Sequence, residues 1–295
     1  MDWLYFALLS AFLGGIAYVV EKKSLLKEHT LDFIAIHLIF TLLLGLFLIP
    51  QVTFGIPLKA YILIFIISFT STVGFIYLTK SIRHMEVSSA IPLISFLPAI
   101  VAVLSFIILK ETLRLNHLLG IGLLAIGAYG LESTTKHFDL LGPFRVIFKS
   151  RYIHFIFIAL ALYSVSRVLE RFMLFSSTSL KVSPFTLMFF TIVFSTVTVA
   201  VILLISKRKI SHIKASFKRS YIVILIVSLL FFAGKITRLF AVSLPVENVG
   251  MVSAVVQLSI LISVLLGGEI FHEGSRFKRI MTTLIMLAGV YLVVT

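Results

Sequence analysis

Long apolar runs alternate along the chain with short polar clusters, and each run is about as long as a membrane-crossing helix. Such a helix needs roughly 20 mostly apolar residues to span the hydrocarbon core. Runs that qualify fall at about 3–20, 33–49, 60–79, 88–109, 116–132, 153–172, 184–205, 220–241, 248–268 and 277–294. The pattern predicts an all-α polytopic membrane protein of ten transmembrane helices, with connections mostly short enough to make neighbours antiparallel. The longest connection, 133–152, carries Gly142-Pro143 and several basic residues and divides the chain into units at 1–132 and 153–295. A second basic connection runs from Lys207-Arg208-Lys209 to Arg219.

Composition sharpens this picture. Hydrophobic residues are 60% of the 295 and charged residues 13%, more apolar surface than one soluble core can bury, so lipid must solvate the excess. A formal charge of +14 would suit nucleic acid, but the basic residues sit between the apolar runs, where they face headgroups and cytoplasm. The expected partners are therefore membrane lipids and a small-molecule substrate, with no nucleic acid. The lack of Cys excludes disulfides and thiolate metal sites. Met1-Asp2-Trp3 lacks a basic n-region, and no cleaved signal peptide is expected.

The two units match each other in order. "FLGGIAYVVEKK" (Phe12–Lys23) aligns with "ALYSVSRVLERF" (Ala161–Phe172), placing Glu21-Lys22 on Glu170-Arg171. "LKAYILIFIISF" (Leu58–Phe69) aligns with "KRSYIVILIVSL" (Lys218–Leu229), pairing Tyr61 with Tyr221 and Ser68 with Ser228. Ser95–Glu111 aligns with Ser253–Glu269, and Gly127–Leu131 with Gly289–Val293. Five spans per unit is an odd number, so the second copy must insert upside down. Inverted-topology repeats recur in secondary transporters, with the substrate near mid-membrane where the halves meet.

These units resemble the EamA halves of the drug/metabolite transporter superfamily. The residues that carry the resemblance are a Pro-bearing fourth span (Pro92, Pro98) running into "LKETLRLNHLLGIGLLAIGAYG" (Leu109–Gly130). The second copy keeps Glu269 and Gly289, but has Gly250 and Val256 opposite the prolines and Thr282 opposite Gly120. The resemblance implies a central cavity lined by the first four helices of each unit, with spans five and ten as scaffold. Gly120, Gly122, Gly127 and Gly130 suit close packing of that scaffold.

Ionisable and polar groups inside spans are the candidate site, because burying them without a partner is costly. Lys235 and Arg238 in span eight share a helical face, and Arg167 in span six lies toward the same membrane face. Together they suit an anion, with Arg able to grip a carboxylate or phosphate by two prongs; the alternative is snorkelling, or pairing with Glu170 or Glu247. Ser253 and Gln257 are i,i+4 neighbours in span nine, suited to a substrate contact or an interhelical hydrogen bond. Pro92 and Pro98 each free a backbone carbonyl, with Ser95 and Phe96 beside them. Tyr18, Tyr77 and Tyr163 offer aromatic walls, His37 a cavity or proton role, and Trp3 an interfacial anchor. Glu111 and Glu269 read as helix-end stabilisers, and Glu21-Lys22-Lys23 as the solvated end of span one, the rival reading being a gate ion pair.

Absences narrow the function. Small multidrug exporters of the superfamily carry a carboxylate within their first span, where this chain has Gly14-Gly15, which argues against proton-coupled export of cationic drugs. No Walker-type phosphate loop, metal pair or nucleophile–base set appears, so neither a cofactor nor an enzyme activity is expected. Lys and Arg concentrate in the connections after odd-numbered spans, which places both termini outside by the positive-inside rule; the resemblance implies cytoplasmic termini instead. The expected function is a secondary transporter that moves a small anionic or zwitterionic metabolite (amino acid, organic acid or sugar phosphate) by alternating access. It is expected in the inner (plasma) membrane of a prokaryotic cell, and as a monomer, since one chain holds both repeats. The alternatives are a translocase of a lipid-linked phosphate head group and a non-transporting membrane subunit.

Overall fold

A computed structural model of the chain describes residues 2–25, 27–84, 94, 96–132, 151–175, 180–263, 266 and 276–294. Among them the secondary structure is helical, without strands. The helices are α1 (Asp2–Leu25), α2 (Thr30–Gly45, continued by a 3-10 turn at Leu46–Gln51), α3 (Leu58–His84), α4 (Leu97–Leu109), α5 (Leu115–Glu132), α6 (Arg151–Phe175), α7 (Pro184–Ile205), α8 (Ile210–Ser243), α9 (Val249–Val256) and α10 (Arg276–Val294). By length and composition, α1, α2 with its extension, α3, α6, α7 and α8 can cross a membrane, and α4, α5, α9 and α10 contribute shorter apolar stretches.

Local chemistry sets several boundaries. Ser183 caps α7 by accepting from the Thr186 N–H at 3.1 Å, with Pro184 in the first turn, where its missing N–H costs nothing. Asn248 caps α9 through the Gly250 N–H at 2.8 Å. Helix α8 starts about ten residues earlier than its apolar run. Its start is held by acids of the α1–α2 region: Arg208, two residues before the helix, forks onto Asp32 at 2.6 and 2.9 Å, and Arg219 onto Glu28 at 2.8 and 2.9 Å. Burial alone would push the Glu28 carboxyl up, but hydrogen bonds from Arg219, Ser216 and Ser220 outweigh it and hold it below the ordinary value. In the fourth span the helix proper starts at Leu97, with Pro98 in its first turn; Pro92 and Ser95 lie outside the described residues. The ninth span is interrupted by a turn at Gln257-Leu258 and resumes over 259–263, while Glu269 lies outside the described residues.

The helices pair in a regular way. Contacts join α1 to α8, α3 to α6, α2 to α8, α3 to α7, α1 to α9 and α4 to α6, and also α2 to α7, α4 to α9 and α5 to α10. Exchanging each helix for the one five places on converts the first six pairs into one another and leaves the last three unchanged. Matched residues make matched contacts as well. Ser228 on α8 meets His37 on α2 at 2.9 Å, and Ser68 on α3 meets Ser195 on α7 at 3.0 Å.

Glycine lets two of these pairs close. A Cβ on Gly120 would lie 2.6 Å from the Gly289 carbonyl, and one on Gly289 would lie 2.8 Å from that of Gly120, so α5 and α10 touch backbone to backbone. A Cβ on Gly250 would lie 2.4 Å from that of Ala102, pressing α9 onto α4. Gly122 faces open space and has no such role, and Trp3 is buried in the main core, not set at a lipid interface.

A candidate substrate cavity

A cavity of about 270 Å³ lies inside the bundle. Its described lining comes from α1 to α4 and α6 to α9, the first four helices of each unit, and none of it from α5 or α10. Lys235, Arg238, Arg167, Gln257, Ser253, Tyr163 and His37 all line it. Tyr77 does not: its ring packs on Phe155 of α6, centroids 5.1 Å apart. Phe96 is 42% exposed and also stands outside the lining.

The cations divide. Arg238 forks onto Glu170 with Nη1 to Oε2 at 2.7 Å and Nη2 to Oε1 at 3.1 Å, and Arg167 Nη1 reaches the same Oε2 at 3.5 Å. Arg238 and Glu170 are both buried, so each satisfies a charge that would otherwise be stranded in a low-dielectric site. Of the two readings of these cations, pairing with Glu170 is the one made by Arg238 and Arg167. Lys235 is half-buried in the lining and has no ion-pair or hydrogen-bond partner among the described residues.

One carboxylate was misjudged from sequence. Glu21 is buried and lines the cavity, although its place one turn from the end of α1 reads as a solvated cap. It has no hydrogen-bond or ion-pair partner among the described residues. Glu170 lines the cavity too, and the sequence match of these two glutamates was the signal that they share an environment. Glu111 does more than finish its own helix. It accepts from Arg171 Nε at 2.6 Å and from the Val249 N–H at 2.8 Å, so it caps the start of α9 in the other unit. Arg171, fully buried, also donates to the carbonyls of Val242, Leu244 and Val246 at 2.6, 2.8 and 2.8 Å. One guanidinium thereby ties together the ends of α4, α6 and α8 and the start of α9.

The polar wall is built across units. Pro98 cannot donate to the Ile94 carbonyl one turn back, and Gln257 Nε2 takes that place at 3.1 Å. Gln257 therefore bridges the fourth and ninth spans at the point where the latter is interrupted. Ser10 Oγ donates to the Gly234 carbonyl at 2.8 Å, and Thr72 Oγ1 to Ser195 Oγ at 2.8 Å. Tyr18, Phe75, Tyr163, Phe231 and Phe232 add the aromatic surface.

Comparison with known proteins agrees with this architecture. A solved crystal structure superposes with a TM-score of 0.73 at 10% sequence identity, covering 99% of this chain and 96% of that one, which speaks for the fold. None of the curated proteins compared matches the chain. Residues 1–132 match the model of the EamA-like transporter family. Residues 1–132 are thus similar to the EamA-like transporter family of the drug/metabolite transporter superfamily, and the apolar helices indicate an integral, multi-pass membrane protein.

Proposed function

We propose that the chain is a ten-span secondary transporter of two inverted five-helix repeats, 1–132 and 153–295, joined by 133–152, and that it carries a small anionic or zwitterionic metabolite by alternating access. It works as a monomer in the inner membrane of a prokaryotic cell. The exchange of helix pairings at an interval of five supports the repeat reading. The observation that carries the substrate reading is Lys235, a cavity cation with no direct ion pair or hydrogen bond among the described residues, the cations in contact with Glu170 being Arg167 and Arg238. A buried ammonium of this kind gains most from a ligand that brings a negative group. Gln257 and Ser253 stand on the opposing α9 side to orient the remainder of the ligand.

A thermal-shift screen of the detergent-purified protein against anionic, zwitterionic and cationic metabolites tests this. A ligand at 100 times its Kd stabilises the fold by roughly 2.7 kcal/mol, which is readily detected. Anions or zwitterions should stabilise the wild type and lose that effect in Lys235→Gln. Stabilisation by cations alone would refute the substrate class.

A further inference from the structure

We infer that His37 determines specificity in this cavity: its Nε2 is a fixed hydrogen-bond acceptor that selects substrates carrying an N–H or O–H donor beside their negative group. The inference rests on the cation site proposed above and adds a second requirement to it.

The protons around Ser228 decide which ring nitrogen is bare. Ser228 Oγ lies 2.7 Å from the Ile224 carbonyl, 3.5 Å from the His37 carbonyl and 2.9 Å from His37 Nδ1. The two carbonyls can only accept, and the hydroxyl has one proton. That proton goes to Ile224, the shorter contact and the usual back-bond of a helical serine. Nδ1 must then supply its own hydrogen to Ser228 Oγ, which leaves Nε2 unprotonated in the neutral ring. His37 is 8% exposed and lines the cavity, and Nε2 has no partner among the described residues.

The ring is also held in place. Phe33 stacks on it at 6.0 Å with an interplanar angle of 3°, Phe75 tilts against it at 6.0 Å, and Phe231 meets it edge-on at 5.9 Å. Ser228, Phe231 and Lys235 follow at i, i+3 and i+7 on one face of α8. The same face therefore orients His37, walls it and supplies the cation. In the matched place of the second unit stands Ser195, whose hydroxyl is occupied by Ser68 and Thr72. At this matched position, among the described residues, the first unit presents an acceptor with nothing on it and the second does not.

A buried acceptor rejects a ligand that cannot donate to it far more strongly than a hydrophobic pocket rejects a shape change. The ligand class this selects is a small acid with an amino or hydroxyl group next to the acidic group, such as a 2-amino or 2-hydroxy acid.

The test has two arms. In the first, protein carrying 15N-labelled histidine is studied by NMR in detergent at neutral pH, with the His37 signal identified by its loss in His37→Asn. A neutral ring protonated at Nδ1, disturbed by Ser228→Ala, is expected; a ring protonated at Nε2, alone or as the imidazolium, overturns the inference. In the second, phenylalanine and 3-phenyllactate, which carry the donor, are compared with 3-phenylpropionate, which lacks it. At least one donor-bearing probe should bind about ten-fold tighter, equivalent to roughly 1.4 kcal/mol, and His37→Phe should erase the difference. Equal affinities in the wild type overturn the inference while leaving the cation site standing. If none of the three probes binds the wild type, the ligand class assigned to His37 falls, while the function proposed above stands or falls with the thermal-shift screen.

Discussion

In the cavity lining Glu170 is held by two guanidiniums, whereas its sequence counterpart Glu21 has no ion pair among the described residues. The alignment that sets Ser68 on Ser228 puts Leu78 where Arg238 stands, and Leu78 also lines the cavity. The two units thus share a backbone plan and a glutamate, but only one keeps the arginine that neutralises it. The region of the paired glutamate is fastened again by Arg171, which joins Glu111 to the α8–α9 link. The helix pairings follow one plan; the individual side chains decide which of the two glutamates is neutralised. Near Glu21 the buried acids that do find cations are Asp32 and Glu28, held by Arg208 and Arg219 from the start of α8.

This contrast is open to attack at graded strength. The largest effect is expected from Arg238→Gln, which leaves Glu170 only the 3.5 Å contact of Arg167 and the more distant charge of Lys235; removing one partner of a buried pair costs about 3–5 kcal/mol. Thermal unfolding in detergent should fall sharply, and the double change with Glu170→Gln should recover part of the loss. A single variant as stable as wild type would dissolve the contrast. Gln257→Leu leaves the Ile94 carbonyl without its donor, and a buried unsatisfied acceptor costs about 1–3 kcal/mol. Stability measured on that variant would show how much of the inter-unit joint depends on one amide. The smallest effect belongs to Glu21→Gln, which removes a desolvated carboxylate that no described cation offsets. Its unfolding temperature should match or exceed that of wild type; a loss as large as that of Arg238→Gln would mean that Glu21 has a partner after all.

Much of this was legible from the sequence, for reasons tied to particular residues. Each of the ten helices begins or continues within an apolar run, since hydrocarbon thickness dictates run length. Helix α8 exceeded its run because the basic residues at its start are matched by Glu28 and Asp32, far away in sequence. Lys235, Gln257, Ser253 and His37 could be picked out because polar groups in apolar runs need a reason to be there, and all four line the cavity. Glu21 and Trp3 were misread for one shared cause. Distance from a helix end can be read from sequence, but burial depends on which other helices lie alongside. The fate of Arg238 was hidden likewise, since its partner Glu170 sits on a different helix and only packing chooses between a substrate and a neighbour.

The central claim is that Lys235 anchors the negative group of the substrate, and proteoliposome flux of the anion or zwitterion found by thermal shift tests it most directly. Wild type and Lys235→Arg should both carry it, Arg less well because its guanidinium is larger and planar, while Lys235→Gln should lose transport with its fold intact. Undiminished flux through Lys235→Gln would contradict the claim and assign that lysine to the structure of the bundle.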